Sequence, residues 1–329
     1  MIPAIYTIIV ALGAPLNGLA VVMLSRKKKT STSIYLLTLA LVDLFYLLFL
    51  PFKIYYNIQM NNWTLPTILC RMYVIFFFTN TYFTLIMLAV ISVDRYLAIV
   101  HPLWISRWRE PRTAWRVSLV VMVVTSIHNV PVNSVTVLNY DNSTYVGGAP
   151  VLRCYEIFSK EEYDLLIPYR LYIFFSLYLL SLLTVLFAYG NVLKVLINSK
   201  GKTELVSREK KMRAAKVTAV NLFIYVVCLT PFNSTHVVGF LQSKSTTFSG
   251  HTIALLRDIT LCLNALNSLF DVLIIYIATP SLRKWLINVL KCKLSGDPSS
   301  GGSQGSPLPA PRECCFAHVN KCVHENHLT

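Results

Sequence analysis

Charged side chains are scarce. Asp, Glu, Lys and Arg make up 14% of the 329 residues, against about a quarter in a soluble domain. The shortage excludes an ordinary globule, because much of the surface must face something other than water. Acidic residues are the rarer sign, 15 against 30 basic ones. Period-two alternation is missing from the apolar runs, which speaks against a membrane barrel. No basic stretch precedes the first run, Ile2–Ser25, and that run is too long for a cleavable signal peptide. No repeat pairs the two halves, which weakens a transporter built on inverted repeats. The apolar runs offer no nucleophile with a base at workable spacing, so neither an enzyme nor a cofactor is expected.

What the chain does have is length in its apolar runs. A helix needs about 20 apolar residues to cross a bilayer. Seven runs qualify: Ile2–Ser25, Ile34–Tyr56, Leu69–Val100, Val117–Leu138, Leu165–Ile197, Val217–Leu241 and Thr252–Ala278. The expected fold is an all-α membrane protein, a bundle of seven transmembrane helices over residues 1–293. Residues 280–292 carry apolar and basic side chains at helical spacing, as in a helix lying on the membrane surface. Residues 294–329 are rich in Gly, Ser and Pro and read as a disordered tail.

The net charge of +15 sits in alternate loops. Arg26 to Lys29, Arg107 to Arg116, Lys200 to Lys216 and Arg283 to Lys293 are basic, whereas 57–67 holds no Lys or Arg. This positive-inside pattern puts the N-terminus outside and the C-terminus in the cytoplasm. The basic charge marks topology and contact with anionic lipid, not nucleic acid.

Polar groups inside the runs are functional candidates. Asn17, Asp43, Asn267 and Asp271 fall near mid-span. They read either as a site for a cation such as Na+, at Asp43 and Asp271, with water, or as a packing cluster. No other metal site is expected. Of eight cysteines, Cys70 and Cys154 share the oxidising face and are expected to be joined, the alternative being two free thiols. Cys292 is a palmitoylation candidate or a plain thiol. Asn62-Trp-Thr64 and Asn142-Ser-Thr144 are glycosylation sequons on outer loops, while Asn233-Ser-Thr235 lies inside span six and is discounted.

Asp94-Arg95-Tyr96 ends the third span, and His101-Pro102-Leu103 follows. Together with Asn17, Leu39-Ala-Leu-Val-Asp43, Cys228-Leu-Thr-Pro231 and Asp271-Val-Leu-Ile-Ile-Tyr276, this arrangement resembles the rhodopsin-like G-protein-coupled receptors. The resemblance implies a heterotrimeric G protein as partner, with arrestin reaching the Ser-rich tail. It implies coupling through Asp94, Arg95, Tyr96, Tyr189 and Tyr276. Three positions depart from it: Val272 and Ser181 stand where that family has Pro, and Met122 where it has Trp. Loss of the prolines should remove helix kinks from spans five and seven.

The outer third of the runs carries bases: His128, Arg170, His236 and Arg257. Buried cations need a counter-charge, which a ligand carboxylate could supply through the guanidinium fork. Arg257 lies about 21 Å above Asp271 at 1.5 Å per residue, near the outer mouth. The rival reading has these bases reach the headgroups or pair with Glu156, Asp164 or Asp258. Cys154-Tyr-Glu-Ile-Phe, Asp164 through Arg170, Pro231 through Phe240 and Pro51-Phe-Lys-Ile are similar to segments of the short-chain free fatty acid receptors. That resemblance implies Arg170 and Arg257 as carboxylate anchors, His236 and His128 as supports and Glu156 as a tuning carboxylate. Phe78 and Phe232 replace tyrosines common in that group. The expected function is a plasma-membrane receptor for a small carboxylic acid. A nucleotide or lipid-acid receptor of the same fold, and a transporter or channel, stay open as alternatives. A phosphate ligand would call for more cations than two arginines.

Overall fold

A computed structural model describes residues 2–101, 110–146, 148–198, 205–244 and 250–279. Residues 1–275 form one compact unit and residues 276–329 a second. The expected surface helix 280–292, Cys292, the tail 294–329 and Pro102-Leu103 lie outside the described residues.

Among the described residues, seven helices are long and apolar enough to cross a membrane: span one Ile2–Arg26, two Ser31–Ile58, three Thr67–Val100, four Pro111–Ser134, five Lys160–Val195, six Met212–Gln242 and seven Thr252–Ala278. Burial departs from that of a soluble domain at both the surface and the interior. Leu48, Leu119, Leu180 and Phe187 are more than half exposed, whereas Asn17, Asp43, Asn221, Asn264 and Asp271 are fully buried. Such a surface suits hydrocarbon, and the polar groups turn inward because lipid cannot satisfy them.

Local chemistry sets the ends. Span two begins three residues before the expected Ile34, because Thr30 and Ser33 form a capping box: the Ser33 amide donates to Thr30 Oγ1 at 3.2 Å and the Thr30 amide to Ser33 Oγ at 2.8 Å. Span five opens on the same device, Ser159 with Glu162. Pro111 starts span four from the first turn, where a missing amide costs nothing.

One expectation needs correction. Span four was expected to run to Leu138, but its helix breaks at Asn129 and ends at Ser134. The bundle also carries strands: β1 (Leu138–Val146) pairs antiparallel with β2 (Ala149–Cys154). Residues 135–138 alternate inward and outward once the chain leaves the helix after Ser134, and Gly148 at φ 82° allows the hairpin turn.

The missing prolines do not leave regular helices. Span five loosens into a π-turn at Phe174–Leu179, just before Ser181, and span six does so at Tyr225–Leu229, just before Pro231. Span seven is interrupted at Leu266, whose position the Leu269 amide reaches in a tighter turn at 3.1 Å. Irregularity arises here from the hydrogen-bond ladder itself.

Candidate functional site

The hairpin closes one end of the bundle. Cys70, at the start of span three, is joined to Cys154 at the end of β2, with Cα atoms 5.9 Å apart. The loop after span two grips the same strand: the Trp63 amide donates to Leu152 O at 2.8 Å, and the Leu152 amide donates to Asn62 Oδ1 at 3.0 Å. Tyr155 follows in the left-handed region at φ 56°, a conformation costing on the order of 1–2 kcal/mol for a residue with a Cβ. This pinned turn delivers Tyr155 and Glu156 to a cavity of about 110 Å³ between spans two, three, five, six and seven. Drug-sized sites hold roughly 300–1,000 Å³, so this one suits a ligand of a few heavy atoms.

The cavity is apolar on one side. Phe77, Phe78 and Phe232 pack edge-to-face at 5.1 and 5.3 Å, and Phe78 meets Tyr155 at 5.5 Å. Its other side is charged. Glu156 uses both oxygens: Lys53 Nζ lies 3.4 Å from Oε1 and Arg257 Nη2 lies 3.1 Å from Oε2. Arg257 also reaches Asp258 at 3.1 Å, and Lys53 sits 4.6 Å over the Tyr56 ring. Burial alone would raise the Glu156 carboxyl, but Lys53 and then Arg257 outweigh it and hold it below its ordinary range.

The two arginines therefore differ. Arg257 already has internal carboxylates, as the rival reading of the sequence held. Arg170 lines the same cavity half-buried, with its guanidinium 5.7 Å from the Phe158 ring centre. Among the described residues, no acidic side chain forms an ion pair with it. His236 is buried in the lining, and its Nε2 has no hydrogen-bond partner among the described residues. His128 is not in the lining. Its Nδ1 lies 2.7 Å from Val124 O, and its ring stacks on Tyr172 at 5.8 Å. The physical reason is the early break of span four, which leaves His128 at the helix end.

A second polar set lies at mid-depth. Asn80 donates to Asp43 Oδ1 at 2.6 Å, Asn17 donates to Ser268 O at 2.9 Å, and Ser268 Oγ donates to Asn267 Oδ1 at 3.2 Å. Asp43 Oδ2 and both Asp271 oxygens are buried without a hydrogen-bond partner among the described residues. An all-oxygen donor set of this kind fits a hard cation.

At the far end, Asp94 and Arg95 are 3.6 Å apart. Asp94 accepts from Ser31 at 3.2 Å and from Thr32 at 3.0 Å, tying span three to the start of span two, and Arg95 also donates to Thr32. Asn221 donates to Ser92 at 3.2 Å and Tyr225 donates to Leu85 O, holding span six against span three. Tyr96 Oη meets His101 Nε2 at 3.0 Å. Tyr189 borders a crevice with Leu193 and Lys216, and Tyr276 lies on the last helix.

The chain matches the 7 transmembrane receptor (rhodopsin family) over residues 17–275. It belongs to that family. As a member it is a signalling receptor of the plasma membrane that crosses the bilayer several times, and its partner is a heterotrimeric G protein. Proteinase-activated receptor 1 of Mus musculus is 29% identical over 331 residues, covering 99% of this chain and 74% of that receptor. The Homo sapiens protein of the same name is 28% identical over 336 residues, covering 100% and 76%. Free fatty acid receptor 3 of Mus musculus is 30% identical over 280 residues, covering 84% and 82%.

Several partners in this receptor were missed by sequence reasoning. Lys53 stood as a charge in an apolar run, yet only the resemblance drew notice to it. Asn80, Asn221, Ser31 and Thr32 are polar residues of a kind too common in spans to single out.

Proposed function

We propose that the receptor binds a small carboxylic acid, such as a short-chain fatty acid, in the cavity beneath the hairpin. The observation that carries this reading is Arg170: a half-buried cation in a small cavity, with no acidic side chain paired to it among the described residues. A ligand carboxylate supplies the missing charge through the planar fork, His236 Nε2 offers a neighbouring polar contact, and the phenylalanines take the alkyl end. Free fatty acid receptor 3, among the relatives, is named for such a ligand. In this reading the hairpin faces outward and the C-terminus lies in the cytoplasm, Asn62 and Asn142 carry glycans, and Cys292 carries palmitate. Binding shifts a two-state bundle that releases span six from span three, opening Arg95, Tyr96 and Tyr189 to the G protein, with arrestin acting later at the tail.

The test is a calcium and cAMP screen, on cells expressing the chain, of straight-chain carboxylates from one to twelve carbons with their amides. Acids of a few carbons should respond and their amides should not. Equal responses to acid and amide would remove the reading.

A second reading rests on the proteinase-activated receptors among the relatives: activation by a proteinase. Signalling evoked by added proteinases at equal surface expression, with silence to every acid, would favour it. A nucleotide is disfavoured because Lys53 and Arg257 are already engaged by Glu156, and a lipid acid because the cavity holds only about 110 Å³. Uptake or current in liposomes holding this chain alone would instead mark a transporter or channel.

A further inference from the structure

We infer that Glu156 acts as a built-in second carboxylate, so that the cavity accepts ligands with one acid group and rejects those with two. The inference rests on the acid-receptor reading and specifies the ligand class. Three cations border the cavity, Lys53, Arg170 and Arg257. Glu156 bridges two of them, one oxygen to each, at 3.4 and 3.1 Å, and Asp258 holds Arg257 from the side at 3.1 Å. Counted over lysine, arginine and the carboxylates, three cations against these two acids leave one positive charge. One ligand carboxylate on Arg170 cancels it.

A second ligand carboxylate would find its cations occupied and a like charge beside it, in a space where charges are poorly screened. The Glu156 side chain is itself two methylenes and a carboxylate, the same chemistry as a three-carbon acid. It arrives on the pinned turn after Cys154 rather than from solution. It occupies the half of the polar wall that a dicarboxylate would need. Lys53 is buried, with 6% of its side chain exposed, and the Glu156 side chain is 8% exposed. Removing the Glu156 charge therefore leaves a buried, unpaired cation that favours an incoming anion.

The experiment compares propionate with succinate on wild type, Glu156→Gln, Glu156→Ala and the double variant Lys53→Gln/Glu156→Gln, at equal surface expression. Wild type should respond to propionate, with succinate at least tenfold weaker. In Glu156→Gln, and independently in Glu156→Ala, succinate should gain at least tenfold in potency relative to propionate, the worth of one charge-assisted hydrogen bond. The double variant has the wild-type charge balance and should return to preferring propionate. Succinate staying as weak as in wild type in both single variants, while propionate still acts, overturns the inference and leaves the acid-receptor reading standing. Silence of wild type to every monocarboxylate overturns both.

Discussion

At the hairpin end, Lys53, Arg170 and Arg257 face Glu156 and Asp258, and the surplus charge is positive. At mid-depth, Asp43 and Asp271 are fully buried, and no cation pairs with them among the described residues. Both clusters put ionisable groups where lipid cannot stabilise a charge. They differ in how each is held. The first is assembled from a covalently pinned loop and five spans, with one cation left over. The second is built from short polar side chains on spans one, two, three and seven, joined by direct hydrogen bonds. On the proposed reading the first takes a small organic anion, and the second offers oxygen donors to a small inorganic cation.

The largest expected effect separates the two regions by their dependence on the disulfide. Glu156 lies two residues after Cys154, so Cys70→Ser or Cys154→Ser should release the wall of the hairpin-end cavity. Loss of such a bond costs about 2–5 kcal/mol, read as a large drop in melting temperature of the purified receptor and loss of the acid response. Sodium-dependent stabilisation at mid-depth should survive in whatever folded receptor remains. An unchanged acid response in either variant would break the link between loop and cavity.

Next comes the contrast between the arginines. Arg170→Ala removes an anchor worth on the order of 1.5–3 kcal/mol, so a carboxylate agonist should weaken by at least about tenfold. Arg170→Lys should recover part of that, since the charge returns without the fork. Arg257→Ala should cost less, because Glu156 and Asp258 already hold that guanidinium. Dose–response curves showing Arg257→Ala as the more damaging change would reverse the assignment.

Much of this was legible beforehand, for a physical reason. Span number and the two arginines are declared by residue type in apolar runs, where any charge is conspicuous, and the cysteine pair by its shared face of the membrane. Span four ending at Ser134 was not legible, because Val135, Val137 and Leu138 are as apolar as a helix and β-branched residues serve either structure. The unequal standing of Arg170 and Arg257 was equally hidden. It depends on which way the turn at Tyr155 sends Glu156, and spacing carries no record of a left-handed φ. The irregular turns in spans five and seven show the converse: proline was taken as their sign, and the backbone loosens without it.

At mid-depth the effect is smaller. A cation held at Asp43 and Asp271 and present at ten times its Kd stabilises by about 1.4 kcal/mol. Replacing sodium by a bulky organic cation should therefore lower the melting temperature of wild type and leave Asp43→Asn/Asp271→Asn unmoved. Equal sodium sensitivity in both would reduce the cluster to helix packing.

The smallest expected effect is none. Glu156 is held below the ordinary carboxylate range by Lys53 and Arg257 against the opposing push of burial. The stability its latch contributes is present above the ordinary carboxylate pKa of about 4.3 and is lost only as pH falls through the lowered folded value. Between pH 5.5 and 7.5 the latch should not titrate, and the difference in melting temperature between wild type and Glu156→Gln should stay constant across that window.

The most direct test of a carboxylate on Arg170 is binding of propionate and propionamide to purified wild-type receptor and to Arg170→Ala, followed by ligand-observed NMR. Propionate should bind wild type and lose at least tenfold in affinity on Arg170→Ala, while propionamide should bind neither. Propionamide matching propionate on wild type, or propionate binding Arg170→Ala as tightly as wild type, would contradict it.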